Sequence, residues 1–226
     1  MIINLRSDTQ TLPTKEMLEA MRNAPLGDDV YGEDPTVNRL EELSAAKLGK
    51  ESALFVTSGT MGNLCALMSH AHSGDEVILE AESHIYYYEV GGFAALAGLV
   101  PRMIYGENGI MNIEEIKRTL RPKDIHFPPS SLLCIENSHN RGGGTVYTVS
   151  QTDEIADFAH SRGLKVHIDG ARIFNAAMAI EVEVRELVKN ADSAMFFFPK
   201  DSVHLLVLCL LGVILLLKEH EKLEKC

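Results

Sequence analysis

Residues able to do acid–base or covalent chemistry follow several apolar stretches of this sequence, where strands are expected to end. The stretches KVHI and AMFFF, for example, are followed within a few residues by an acid, a guanidinium or an amine. The candidate residues at such positions are Gly59, Thr60, His84, Asp169, Arg172 and Lys200. Ligands of open α/β sheets bind beyond the carboxyl ends of the strands, so a single small-molecule site could use all of these groups.

Asp169 and Lys200 each close an apolar stretch, which gives both side chains unusual chemistry if they are buried. A buried carboxylate must be paired or hydrogen-bonded, and Asp169 can either cap the next turn or hold a ring nitrogen protonated. Lys200 is either a surface residue or a desolvated amine that can form a covalent link to an aldehyde. The residues alone leave both alternatives open.

Two further segments carry groups that suit a flat, phosphorylated ligand. TSGTMGN, at residues 57–63, follows a strand-like run and opens a helix-like one, where Gly59 permits close approach and free N–H groups attract phosphate. The segment fits neither a dinucleotide fingerprint nor a P-loop. In ESHIYYYEVGG, His84 is either a core residue or an aromatic base that stacks on a cofactor and moves protons.

These groups are positioned by strand-like and helix-like stretches that alternate from residue 36 to residue 200. SALFV, EVILE, SSLLCIE and LKVHIDG read as strands, whereas PTVNRLEELSAAKLGK, TMGNLCALMSHAHSG, NIEEIKRTL and QTDEIADFAHSRG read as helices that end near Gly49, Gly74, Leu120 and Gly163. Such alternation predicts an α/β fold with a mostly parallel sheet and flanking helices.

Phosphate donors, an acid for a ring nitrogen, a stacking imidazole and an amine together match one cofactor, pyridoxal 5'-phosphate (PLP). Seven segments carry a family resemblance as well: NLRSDTQTLPT, GDDVYGEDPTVNRLEE, FVTSGTMGN, ESHIYYYEVGG, CIENSHNRGGGTV, HIDGARIFNAA and ADSAMFFFPK. From about residue 4 to Lys200 the chain resembles low-specificity L-threonine aldolase, a fold type I PLP enzyme of the aspartate-aminotransferase kind.

The resemblance implies a role for each matching residue. Lys200 would carry the cofactor covalently, Asp169 would pair with the pyridine nitrogen, and His84 would stack on the ring and act as a base. The remaining implied contacts are Gly59 and Thr60 with the phosphate, Ser7 and Arg172 with substrate carboxylate or cofactor, and Tyr31 with a neighbouring subunit's site. The implied reaction cleaves L-threonine or L-allo-threonine to glycine and acetaldehyde, and the implied assembly is a homo-oligomer.

The resemblance also implies three regions: an N-terminal arm and helix at 1–30, a PLP-binding large domain at 31–200, and a divergent apolar tail at 201–226. The family pattern after the lysine, K-G-L-x-A-P-V-G-S, is absent, but the codons of this tail permit it in a shifted reading frame. We therefore expect a frame-shifted, truncated end that lacks the next sheet strand and the small C-terminal domain. A membrane anchor and a buried strand are the alternatives for the run from Leu205 to Leu217, which falls short of the roughly 20 apolar residues of a membrane helix.

We expect the truncation to leave such a chain weakly active or inactive. The alternatives to an active aldolase are a non-catalytic fragment that binds the cofactor or dimerises, and a different fold type I lyase acting on another β-hydroxy amino acid. An active aldolase would turn over L-allo-threonine, whereas a non-catalytic fragment would not.

Composition narrows the remaining classes of function. A net charge of −11 argues against nucleic acid or an anionic membrane surface as the partner. The four cysteines contain no CxxC pair, so the sequence predicts reduced thiols and no metal site. No signal-peptide pattern opens the chain, and we expect a cytoplasmic protein whose partner is a small amino-acid substrate.

Overall fold

The computed structural model describes residue 8, residues 12–197 and a strand at residues 213–217. Two of the predicted site residues, Ser7 and Lys200, lie outside the described residues. The described helices are α1 Lys15–Asn23, α2 Pro35–Leu48, α3 Gly59–His70, α4 His84–Tyr87, α5 Gly92–Ala95, α6 Ile113–Thr119, α7 Val149–Ser161, α8 Ile173–Ala179 and α9 Val184–Val188.

A seven-stranded sheet organises the described chain. Its strands are β1 Ser52–Val56, β2 Glu76–Glu80, β3 Val100–Ile104, β4 Ser130–Glu136, β5 Lys165–Gly170, β6 Ser193–Phe197 and β7 Val213–Leu217, and their spatial order is β1-β7-β6-β5-β4-β2-β3. The pairs formed by β2 with β3, β2 with β4, β4 with β5 and β5 with β6 are parallel. The predicted α/β fold with a mostly parallel sheet and flanking helices is confirmed.

Strand β7 corrects one expectation about the tail. It inserts between β1 and β6 and pairs antiparallel with both, with Leu215 opposite Leu54 on one side and Met195 on the other. The tail was expected to leave the sheet without a strand at this point, and that expectation is wrong for residues 213–217. Of the three interpretations of the apolar run, a strand of the sheet describes these five residues.

Local sequence signals account for the helix ends. Asp34 accepts hydrogen bonds from the N–H groups of Thr36 and Val37 at the start of α2, Pro35 occupies its first turn, and Gly49 ends it in the left-handed conformation as predicted. Helix α3 ends at His70 rather than near Gly74, because Ala71 already has extended backbone angles. The N–H of Ala71 donates the last hydrogen bond of the helix, to the carbonyl oxygen of Leu67.

The core lies on both faces of the sheet. One cluster joins β4, β5 and β6 to α7, α8 and α9 and includes Ile135, Ile168, Leu187 and Phe196, all at most 1% exposed. A second cluster packs α3 and α5 against β2 and includes Leu67, Leu79 and Phe93. Burying both faces explains why the central strands are near-continuous apolar runs that end in polar residues.

Helix α1 buries no side chain. This agrees with an N-terminal arm, but the boundaries proposed for the arm, the large domain and the tail stay predictions. Within the described ranges, no helix combines the length and the apolar character needed to cross a bilayer.

Candidate active site

The predicted acid lies where the site was expected, at the carboxyl ends of adjacent parallel strands. Asp169 is next to last in β5 and pairs in register with Glu136, the last residue of β4. Both side chains are buried, with Asp169 only 1% exposed. Two carboxyl groups at neighbouring strand ends place acidic groups close together at one edge of the sheet. Their protonation therefore depends on the hydrogen-bond donors and charges that surround them.

Asp169 is held by donors from two directions. Asn63 Nδ2, from the first turns of α3, lies 3.0 Å from Asp169 Oδ2, and Ala171 N–H lies 3.4 Å from Oδ1. A buried carboxylate is tolerated only with such partners. Asn63 also donates to Glu89 Oε1 at 2.8 Å, so one amide ties both acids together.

His84 is the first residue of the four-residue helix α4 and contacts both Glu136 and Glu89. Its backbone N–H donates to Glu136 Oε2 at 2.7 Å, and its Nδ1 lies 3.0 Å from Glu89 Oε1. One ligand-type atom from each of His84, Glu89 and Asp169 lies within 4.8 Å of the other two. The structure therefore brings the predicted acid and the predicted base together.

The His84–Glu89 pair holds a proton more tightly than either group would alone. The hydrogen bond to Glu89 raises the pKa of His84 above its ordinary value, with further support from the charges of Asp169 and Glu136. Burial raises the pKa of Glu89. Because Glu89 is an acceptor for Nδ1–H, the other ring nitrogen, Nε2, is left to accept a proton from a ligand.

Glu136 forms a second buried acid–imidazole group with Glu80 and His139. His139 Nε2 lies 3.0 Å from Glu80 Oε2 and 3.6 Å from Glu136 Oε2. Burial and the neighbouring Asp169 raise the pKa of Glu136 to about 7. The Glu136 side chain also accepts the backbone N–H groups of His84 and Asn140, so it positions the base.

The predicted phosphate contacts lie at the start of α3. Gly59 and Thr60 are its first two residues, and their N–H groups belong to the first turn, which has no intrahelical acceptors. Ser58 accepts the N–H of Met61. Thr60 precedes Asn63 by three residues, about 4.5 Å along the helix axis, so the helix start lies within one turn of the Asn63–Asp169 contact.

Gly59 also has a steric reason to be glycine. A Cβ at this position would lie 2.7 Å from Cζ and 2.9 Å from Cε2 of Phe197, at the end of β6. A side chain at this position would therefore need the Phe197 ring to move. The role of Gly59 in binding phosphate stays a prediction.

Arg172 and Tyr31, the two predicted substrate residues that the structure describes, are placed by contacts other than those that join His84, Glu89 and Asp169. Arg172, which precedes α8, makes a two-pronged ion pair with Asp8 through Nε at 2.6 Å and Nη2 at 3.0 Å. The hydrogen bond to Asp8 raises the pKa of Arg172. Tyr31 lies in the 3-10 turn Asp29–Tyr31 with 77% of its surface exposed, and no contact within the described chain joins it to Asp169.

Sequence reasoning missed Asn63 and Glu89 as site residues, and it placed Glu136 at a strand end without giving it a role. All three lie within the segments that had been singled out, at the end of TSGTMGN, within ESHIYYYEVGG and within CIENSHNRGGGTV. Glu89 follows His84 by five residues, but a five-residue spacing becomes a contact only because α4 is a single turn followed by a bend. No periodic pattern signals that geometry.

The residues present fit PLP. The ionisable acid Asp169 at the strand end suits a ring nitrogen, the half-exposed His84 ring suits the face of a flat heterocycle, and the open N–H groups of the α3 start suit a phosphate. Together with the mostly parallel sheet, these groups fit the class of PLP-binding proteins of fold type I.

The chain belongs to the beta-eliminating lyase family, whose sequence model matches residues 4–206. This is a family of PLP-dependent enzymes, which confirms the predicted cofactor class.

Several threonine aldolases are similar to the chain. Low-specificity L-threonine aldolase 1 of Arabidopsis thaliana is 48% identical over 202 residues, which are 88% of this chain and 56% of that protein. Low specificity L-threonine aldolase of Escherichia coli strain K12 is 44% identical over 193 residues, 85% of this chain and 57% of that protein. The chain thus spans about half the length of these curated relatives.

A solved structure of Leishmania major threonine aldolase superposes with a TM-score of 0.81 at 20% identity. The superposition covers 96% of this chain and 63% of that one. At this identity the likeness establishes the fold, and the predicted PLP-dependent transferase-like architecture is confirmed.

Proposed function

We propose that this chain carries the PLP site of a carbon–carbon lyase that cleaves L-threonine and L-allo-threonine to glycine and acetaldehyde. The observation that carries the proposal is the buried Asp169 carboxylate facing the His84–Glu89 pair at the strand ends. The 44–48% identity to proteins named low-specificity L-threonine aldolases supports the substrate class.

In the proposed reaction, PLP bound at this site supplies an electron-accepting ring for the electron pair released when Cα–Cβ breaks. His84 Nε2 takes the proton of the substrate β-hydroxyl, and Glu89 stabilises the imidazolium that forms. Asp169 supplies an anion at the strand end where the ring nitrogen is held. Lys200, outside the described residues, is the proposed covalent anchor.

Arg172 is the proposed ligand for the substrate carboxylate. A guanidinium binds carboxylates with two parallel hydrogen bonds, which is the way Arg172 already holds Asp8. Substrate binding at Arg172 would therefore compete with Asp8. Ser7 and Tyr31 stay proposed contacts, Tyr31 toward the site of a neighbouring copy.

Acetaldehyde release tests the proposal. Wild-type protein with PLP and L-allo-threonine is expected to release acetaldehyde, measured by coupled reduction with alcohol dehydrogenase, whereas Lys200→Ala and Asp169→Ala are expected to lose this activity. Arg118→Ala, an exposed change on α6, is the matched control. Equal rates for wild type and Lys200→Ala refute the catalytic proposal. PLP binding without turnover favours the non-catalytic fragment.

We further propose a homo-oligomer in a reducing, cytoplasmic compartment. Cys65 and Cys134 are buried, and burial raises the pKa of the Cys134 thiol, which keeps this thiol unreactive. Large apolar side chains stand exposed on the described chain, including Tyr31, Val90 and Met178, as an interface between copies would require. Light scattering after size-exclusion chromatography measures the assembly, and a monomer at all concentrations contradicts it.

A further inference from the structure

A line of buried polar side chains leads away from Asp169 into the space between α3 and the sheet. Asn63 donates to Asp169, and its Oδ1 lies 3.0 Å from His167 Nε2. His167 Nδ1 lies 2.7 Å from Ser193 Oγ, which in turn lies 2.8 Å from His70 Nε2. We call these residues the polar chain: Asn63, His167, Ser193 and His70.

Secondary-structure periodicity places the polar chain on facing surfaces. His167 and Asp169 are two residues apart in β5 and point to the same face of the sheet. Asn63 and His70 are seven residues apart, two turns of α3, and point to the same side of that helix. Ser193 in β6 is the register partner of His167. Asn63, His167 and Ser193 are each 0% exposed, so bulk water does not compete for these contacts.

The hydrogen bonds of the polar chain can run in one direction only. Asn63 Nδ2 donates to both Asp169 and Glu89, so the carbonyl oxygen of the amide faces His167. His167 Nε2 must then carry the proton, which leaves Nδ1 to accept from the Ser193 hydroxyl. Ser193 Oγ in turn accepts from His70 Nε2–H.

The direction of these hydrogen bonds matters because the charged groups around Asp169 have opposite effects on its ionisation. Glu89 and Glu136 disfavour a negative charge on Asp169, whereas His84 and Arg172 favour it. Hydrogen bonds that reach the acid as donors favour its ionised form. Burial lowers the pKa of His167 to about 3, which keeps its ring neutral and preserves the single tautomer that the chain needs.

We propose that Asn63 and His167 are positioning residues, which hold Asp169 ionised and fixed in orientation through the one-way polar chain. Asn63 acts directly on the Asp169 carboxylate, and His167 acts through Asn63 by preventing the amide from rotating. The inference rests on the proposed function in assigning Asp169 to the cofactor ring, but the ionisation of Asp169 is measurable without any cofactor.

The first test is NMR of the cofactor-free protein labelled with 13C in aspartate carboxyls and 15N in histidine rings. Asp169 is expected to give the carboxyl chemical shift of an ionised acid at neutral pH, and His167 to show the neutral Nε2–H tautomer. His167→Leu is expected to move the Asp169 titration to higher pH. His167→Gln, whose amide can still donate to Asn63, is expected to restore most of the wild-type behaviour.

The second test is PLP affinity, measured by the visible absorbance of the bound cofactor. Asn63→Leu and His167→Leu are expected to weaken affinity by about tenfold to a hundredfold, the usual value of hydrogen bonds to a charged group, and His167→Gln by less than about threefold. Tyr147→Phe is the matched control, because it loses buried hydrogen bonds to Met111 N–H and Gly109 O elsewhere. It is expected to lower the melting temperature and leave affinity unchanged.

A His167 ring that is charged or in the Nδ1–H tautomer at neutral pH overturns the proposal, as does an Asp169 titration unmoved in His167→Leu. Equal affinity losses in His167→Gln and His167→Leu also overturn it, since they indicate a packing effect. If the wild type binds no PLP, the proposed function fails, and the NMR result still decides for or against the polar chain.

Discussion

Glu136 makes the stability of this fold depend on pH in a way that one substitution should remove. Its carboxyl is 6% exposed, and burial together with Asp169 raises its pKa from 4.5 to about 7. The folded state therefore keeps a proton that the unfolded state has already released. The stability that this proton provides is complete below about pH 4.5 and is lost as pH rises through about 7.

The size of the effect follows from the shift. A change from 4.5 to about 7 is about 2.5 units, and at 1.36 kcal/mol per unit this corresponds to about 3 kcal/mol. Glu136→Gln has no proton to lose, and its one carbonyl oxygen can accept only one of the two N–H groups, of His84 and Asn140, that Oε2 and Oε1 accept in the wild type; that loss is the same at every pH. Relative to the wild type, we expect the variant to gain about 3 kcal/mol of stability between low pH and pH above neutrality.

Urea unfolding followed by circular dichroism at several pH values measures this difference. Glu115→Gln, an exposed carboxylate on α6, is the control and is expected to run parallel to the wild type. A Glu136→Gln curve that also runs parallel to the wild type from about pH 4 to about pH 8 refutes the reasoning. Parallel curves would mean that ionisation of Glu136 does not lower the free energy of unfolding.

Four other changes test the site and its supports. Glu89→Gln weakens the hydrogen bond and removes the charge that together raise the pKa of His84, so the pH below which activity falls should move downward in a pH–rate profile; an unchanged acid limb excludes His84 as the base. Gly59→Ala places a methyl group 2.7 Å from the Phe197 ring and should cost about 1–3 kcal/mol in urea unfolding; unchanged stability contradicts that packing. Lys50→Met removes the amine that donates to the carbonyl oxygens of Val188 and Ala191, and the melting temperature should fall by an amount matching about 1.5–3 kcal/mol, whereas an unchanged value shows these bonds contribute nothing. Dialysis against EDTA should leave acetaldehyde release unchanged, because the cluster of His84, Glu89 and Asp169 is assigned to an organic cofactor; a loss restored by a divalent cation contradicts that assignment.

The sequence predicted the elements that have strong local signals. Helices α2, α6 and α7 have capping residues and a regular apolar period, and strand β5 is an apolar run that ends at Asp169, so both the elements and the acid could be placed. His84 was also identified, because it follows a strand-like run.

The contacts that give these residues their chemistry could not be predicted, because they join distant parts of the chain. Asn63 reaches Asp169 across 106 positions, and neither residue signals the other. Strand β7 is a similar case: an apolar run is compatible with a strand, a core helix or an anchor, and its antiparallel place between β1 and β6 depends on edges that only the folded sheet offers.

The central claim is that PLP is bound at Lys200 with Asp169 beside its ring nitrogen. Borohydride reduction of the protein incubated with PLP, followed by peptide mass spectrometry, tests this most directly. We predict a single reduced PLP adduct on Lys200, which becomes much weaker in Asp169→Ala. A folded protein that shows no adduct on Lys200, or one spread over surface lysines and unaffected by Asp169→Ala, would contradict the account.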